Sequence, residues 1–191
     1  MKKAIIFILA VLTFGCVNEN KFTIEGTIEG AEKQWVYFRQ KGVSETELLD
    51  SAKTDREGDF RFSGTTEHPK FYNIALDGKF ATLLIKPGEN ITFRTDVNDF
   101  YDYTIEGSPG SKYVKTLENR LRHTRSKLDS LDRIYEKIKD EEGAEEKITK
   151  LDEEYRRILN RQRDSSISFI ITHMCWLSSI MSIYKKINED T

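Results

Sequence analysis

Residues 71–93 read FYNIALDGKFATLLIKPGENITF. Phe71 to Leu76 and Phe80 to Ile85 are dense in aromatic, branched and other apolar side chains, which suit a pleated, half-buried surface. Between them stands Asp77-Gly78, a strong short-range hairpin signal. Pro87-Gly88 supplies a second turn, of type II, because proline presets the first central residue and glycine accepts positive φ at the next. Ile91-Thr92-Phe93-Arg94 then resumes the extended pattern. Two turns separating three short apolar runs specify antiparallel β-structure here.

The same pattern continues on both sides. Upstream, Phe22, Ile24 and Ile28 fall on alternate positions around Gly26, and Trp35-Val36-Tyr37-Phe38 is a second dense run. Glu47 to Ala52 makes a third strand. Asp55 to Asp59 is a turn signal, and Phe60-Arg61-Phe62 alternates after it. Downstream, Tyr103-Thr104-Ile105 closes the series before Gly107. Short strands at this close spacing indicate an antiparallel β-sandwich or barrel over residues 22–107.

Ser108-Pro109 changes the period, with an N-cap hydroxyl followed by proline at the first helical position. Val114, Leu117, Leu121, Leu128, Leu131, Tyr135 and Ile138 then recur at alternating steps of four and three, with Thr124 in the one polar slot. Glu141-Glu142-Gly143 interrupts the series. Ile148, Leu151, Tyr155, Ile158 and Leu159 resume it. Two amphipathic helices around a glycine turn are expected to form an antiparallel hairpin, and a last amphipathic segment carries Leu177, Ile180, Met181 and Tyr184. The expected fold is therefore α+β: a sandwich-like domain, then a helical region over residues 108–191 with a helical hairpin and a short C-terminal helix. The apolar face on Leu177, Ile180, Met181 and Tyr184 has nothing left in the chain to cover, so it is an expected partner face.

The chain starts MKKAIIFILAVLTFGC, with two lysines, an apolar run and a small residue before Cys16. This is the layout of a secretory signal, too short for a bilayer span, which needs about 20 apolar residues. Gly15-Cys16 resembles the lipobox of bacterial lipoproteins. The resemblance implies cleavage before Cys16, a diacylglyceryl anchor on its thiol, and a tether over residues 17–21. The rest of the chain is expected to lie in the cell envelope, held to a membrane by lipid and facing the periplasm.

Lys and Arg number 30 against 32 Asp and Glu, and this balance argues against a nucleic-acid partner. With Cys16 lipidated, Cys175 has no partner in the chain; among Ile170, Ile171, Met174, Trp176 and Leu177 it reads as a small inert hydrophobe. His68, His123 and His173 have no metal-ligand spacing, so no metal or other cofactor is expected. Asp55, Glu57 and Asp59 alternate as calcium ligands do, but the residues after them lack the remaining oxygens of an EF-hand, which favours a turn. Trp35, Tyr37, Phe38, Phe71 and Tyr72 are read chiefly as core rings, with stacking on a sugar or peptide as the alternative.

One ordered series of motifs runs through the β-rich half. It consists of Phe22-Thr23-Ile24-Glu25-Gly26-Thr27-Ile28, Leu49-Asp50-Ser51, Gly58-Asp59-Phe60-Arg61-Phe62-Ser63-Gly64, Leu84-Ile85-Lys86-Pro87-Gly88-Glu89 and Ile105-Glu106-Gly107-Ser108. This order is similar to the N-terminal β-domain of unknown function that precedes a thioredoxin-like domain in bacterial thiol–disulfide oxidoreductase lipoproteins of the TlpA or ResA kind. The segment Lys112 to Lys186 resembles that family's helical linker. The redox chemistry of the family rests on a Cys-x-x-Cys pair, which this sequence does not contain, so no catalytic residue is carried over. The resemblance implies a non-catalytic, membrane-tethered accessory domain of a truncated or partial member, with a thioredoxin-like domain or envelope protein as partner. Two other readings stand beside it: a stand-alone lipoprotein binding a glycan or peptide, and a scaffold whose helices pair between chains.

Overall fold

The computed structural model describes residues 19–42 and 45–172. The signal ending at Cys16, and the C-terminal segment with Cys175, Leu177, Ile180, Met181 and Tyr184, lie outside the described residues. The fold is α+β. Eight strands come first: β1 (Lys21–Glu29), β2 (Trp35–Lys41), β3 (Thr46–Lys53), β4 (Asp59–Thr65), β5 (Lys70–Leu76), β6 (Lys79–Ile85), β7 (Asn90–Asp96) and β8 (Thr104–Glu106). Two helices follow, α1 (Pro109–Ile138) and α2 (Glu145–Thr172).

The strands form two four-stranded sheets, one ordered β4-β1-β7-β8 and the other β3-β2-β5-β6. The Asp77-Gly78 turn joins β5 to β6 with both residues at positive φ, 46° and 76°. That is the geometry whose twist matches the flanking strands, and glycine takes it without steric cost. The pairing departs from the antiparallel expectation at one place. β1 and β7 run parallel, with Ile24 opposite Ile91 and Gly26 opposite Phe93. Parallel neighbours need a long crossover, and here β2 through β6, which include the whole second sheet, provide it.

Period-two patterning decides what is inside. Phe22, Ile24 and Ile28 of β1, Val36 and Phe38 of β2, Phe60 and Phe62 of β4, and Tyr72 and Ile74 of β5 all turn inward. Their rings form a continuous stack: Phe38 lies 5.2 Å from Phe62 and 5.1 Å from Tyr72, both nearly parallel. Burying each such ring contributes about 1.5–3 kcal/mol, so this aromatic spine dominates the stability of the sandwich.

The same phase rule corrects the core expectation for part of the aromatic set. Phe38 and Tyr72 are core, but Trp35 and Tyr37 alternate with Val36 and Phe38 and therefore face outward. Trp35 is 52% exposed. Phe71 is half-buried on the outer side of β5.

The helices pack antiparallel, as the heptad pattern requires. Thr124 donates to Gln162 at 2.7 Å across the seam, and Tyr113 meets Phe169 edge-on at 5.9 Å. The interruption around Gly143 is the turn between them.

Candidate functional site

The chemistry of this chain concentrates where α1 meets the sandwich. β6 is the last strand of its sheet, so its outer edge would leave backbone groups unpaired. The first turn of α1 fills that edge. Ser108, the N-cap, accepts from the Ser111 amide at 3.3 Å and donates to the Leu84 carbonyl at 3.1 Å. Leu84 N–H donates in turn to Ser111 Oγ at 3.0 Å. The two hydroxyls lie 2.9 Å apart, and neither residue is exposed. One pair of serines thus caps a helix and completes a strand.

The approach depends on small residues. Gly107 enters the turn at φ 77°, and a Cβ there would collide with the Asn90 carbonyl. Gly110, beside Ser111, is also buried. Glu89 secures the far side: its carboxylate accepts from the Lys86 amide at 3.1 Å. Burial raises the Glu89 pKa, while Ser108 and Lys86 pull it back. One turn further along α1, Lys115 donates to the Tyr103 carbonyl, lies 3.6 Å from Asp102, and sits 5.1 Å from the centre of the Tyr103 ring. Burial, reinforced by the Glu118 carboxylate, pushes the Tyr103 hydroxyl up.

Ser108 was legible as an N-cap. Ser111 carries a weaker signal. Its signal is a glycine and a serine, both weak helix formers, in the first turn, where a capping box would place Glu or Gln.

Beside this junction, Asp99, Tyr101 and Asp102 face Asn119, Arg122, His123 and Ser126 across an open groove of about 400 Å³. Arg122 stacks on Tyr101 at 4.6 Å and donates to Asn119 at 3.1 Å. The groove is shallow and carries both charge signs.

A second surface is the outer face of β3-β2-β5-β6. Ser51, Tyr37, Ala75 and Phe80 stand in one cross-strand row, and Leu48, Arg39, Asn73 and Thr82 in the next. Phe80 is 47% exposed, and Arg39 lies 5.4 Å from the centre of the Tyr37 ring. Asn73 Oδ1 and Thr82 Oγ1 are buried there without a hydrogen-bond partner among the described residues.

Asp55, Glu57 and Asp59 bring carboxylate oxygens within 4.8 Å of one another, all exposed. Two of the three are committed to local structure. Asp55 accepts from the amides of Glu57 and Asp59 at 2.8 and 2.9 Å, which lowers its pKa, and Asp59 accepts from Thr27 at 2.6 Å. The cluster is a hydrogen-bonded turn. His68 and His123 join no such cluster among the described residues, and His173 lies outside them.

No curated protein matches the chain. Among solved structures, the crystal structure of a 9R-lipoxygenase from Cyanothece PCC8801 is similar over 55% of this chain and 19% of that one, at 16% identity. Its TM-score of 0.26 is too low to carry any argument about fold or function. Residues 22–113, from β1 through the turn of α1 that holds Ser108 and Ser111, match the model of a family described as a domain of unknown function, DUF4369.

Proposed function

We propose that the chain is a membrane-tethered, non-catalytic accessory module that presents a partner at a fixed orientation, the partner being a thioredoxin-like redox domain or its client. The observation that carries this reading is the junction at Leu84. Because Ser108 and Ser111 bond to the last strand of a sheet, the helical arm leaves the sandwich as a continuation of it rather than on a loop. An anchored sandwich with such an arm holds whatever the arm contacts at a set height. The order of motifs, which resembles that of redox lipoproteins, is the ground for the partner class, and the signal-like start is the ground for the anchor.

Intact mass of native protein extracted from membranes tests the anchor. The expected species begins at Cys16 and carries lipid; an unlipidated chain retaining residues 1–15 contradicts it. A deletion strain tests the redox role. Exported proteins should accumulate mispaired thiols, and a thiol profile identical to the parent's contradicts that part of the reading.

One observation favours a second reading, a lipoprotein that binds a peptide or glycan. Trp35, Tyr37 and Phe80 stand outward on one sheet face, where exposed rings suit stacking on such ligands. Fluorescence of Trp35, isolated by Trp176→Phe, should shift on titration with a binding glycan or peptide. No shift across a panel of both classes contradicts this reading.

A further inference from the structure

The helical arm carries an apolar seam that two helices cannot close. Leu121 lies one turn before Thr124, and Leu159 one turn before Gln162, the two residues that pair across the seam. Leu121 is nevertheless 54% exposed and Leu159 43%. Tyr135 and Tyr155, further toward the turn, are exposed as well. Leu117, Leu128, Leu131, Leu151 and Ile158 are half-buried between the helices, and among the described residues Ala144 and Phe169 are the apolar side chains of the arm that are buried. A helix of 30 residues is about 45 Å long, and a pair of helices is about 20 Å wide. The open face is therefore at most about 900 Å², comparable to the area each partner buries in a stable interface.

Charge says what covers it. On the base half of the arm, near the sandwich, α1 carries Lys112, Lys115, Arg120, Arg122, Arg125 and Lys127 against the single acid Glu118. Lys115, Arg120 and Arg122 lie against the chain's own Tyr103, Phe169 and Tyr101, so Lys112, Arg125 and Lys127 set the charge offered to a partner. On the tip half, between residues 129 and 157, acids outnumber bases eleven to seven. The arm is thus basic at its base and acidic at its tip. A second copy laid alongside in the same direction would oppose like charges at both ends. Turned end for end, it sets each acidic tip beside the partner's basic base, the self-complementarity a twofold interface needs.

We infer that two copies of this chain associate through their helical arms, packed antiparallel to each other as a four-helix bundle with the twofold axis near Leu128 and Tyr155. Such bundles bury seam positions of the kind left open here. This goes beyond the accessory role proposed above and does not depend on a redox partner.

The test is sedimentation velocity of the full chain in detergent, with the detergent contribution subtracted. A protein mass near twice that of the chain from Cys16 onward is expected at micromolar concentration. The exposed pair Asp152→Lys and Glu153→Lys should weaken the dimer about tenfold or more at low salt, with the helical circular dichroism unchanged. Mixing that variant with Arg125→Glu/Lys127→Glu copies, which change exposed bases only, should restore it. A monomer at tens of micromolar overturns the inference, whether the seam is then covered by the chain's own C-terminal segment or by another protein. A dimer indifferent to the charge reversal overturns it too.

Discussion

Ser111, on the first turn of α1, accepts from the backbone amide of Leu84, on the last strand of its sheet, at 3.0 Å. The bond belongs to a closed circuit. The Ser111 amide donates to Ser108 Oγ, the Ser108 hydroxyl donates to the Leu84 carbonyl, and the Leu84 amide returns to Ser111. The helix gains its cap and the sheet gains a substitute for a missing strand. Sandwich and arm are mechanically one piece at this point.

Ser111→Ala leaves the Leu84 amide buried without a partner, and Ser108→Ala removes the N-cap. Each should cost about 1–2 kcal/mol in urea unfolding. Because both act on one circuit, the double variant should lose less than the two losses added together. Full additivity would mean that the two hydroxyls act independently.

Gly107 and Gly143 both have positive φ, 77° and 76°, but only Gly107 faces an obstacle. Gly107→Ala should destabilise by about 2 kcal/mol or more, because backbone strain is joined by a collision with Asn90. Gly143→Ala, in open space at the arm's turn, should cost about 1 kcal/mol. Equal losses in denaturant melts would show that the strand β7 side yields freely.

Glu89 gives the junction a pH dependence of definite sign. Its folded pKa is raised above the ordinary 4.5, so folding favours the neutral carboxyl. That contribution is complete below the ordinary value and is lost as pH rises through the folded pKa. Glu89→Gln keeps the neutral acceptor for the Lys86 amide. The variant should be more stable than the parent at pH 7, with the gap closing as pH falls to about 3.5. A gap that widens on acidification would reverse the sign of the coupling.

Trp35 and Phe38 are three residues apart in one strand but on opposite faces. Trp35→Ala should change stability by no more than about 0.5 kcal/mol, whereas Phe38→Ala should cost about 3–5 kcal/mol. Thermal melts of the two variants separate them, and comparable losses would place Trp35 in the core.

The elements were legible where local rules and tertiary packing agree. Asp77-Gly78 and Pro87-Gly88 announced their turns, Ser108-Pro109 announced α1, and the heptads announced the arm. The parallel pairing of β1 with β7 was not legible, because nothing within either strand records which distant strand lies beside it. Trp35 departs from the core expectation for a related reason. Bulk and aromaticity favour the interior on average, but the phase set by Val36 and Phe38 sends Trp35 outward. The role of Ser111 is not legible because its partner, Leu84, is 27 residues away and binds it through the backbone, which leaves no side-chain pattern to read.

The claim that the arm completes the sheet is tested most directly by amide hydrogen exchange at Leu84. An unpaired edge amide exchanges quickly, whereas one bonded to a buried hydroxyl exchanges only on opening. The Leu84 amide should be protected as strongly as the central strand β5, and Ser111→Ala should abolish that protection while leaving β5 unchanged. Rapid exchange at Leu84 in the parent protein, at the rate of the exposed edge strand β3, would contradict the account.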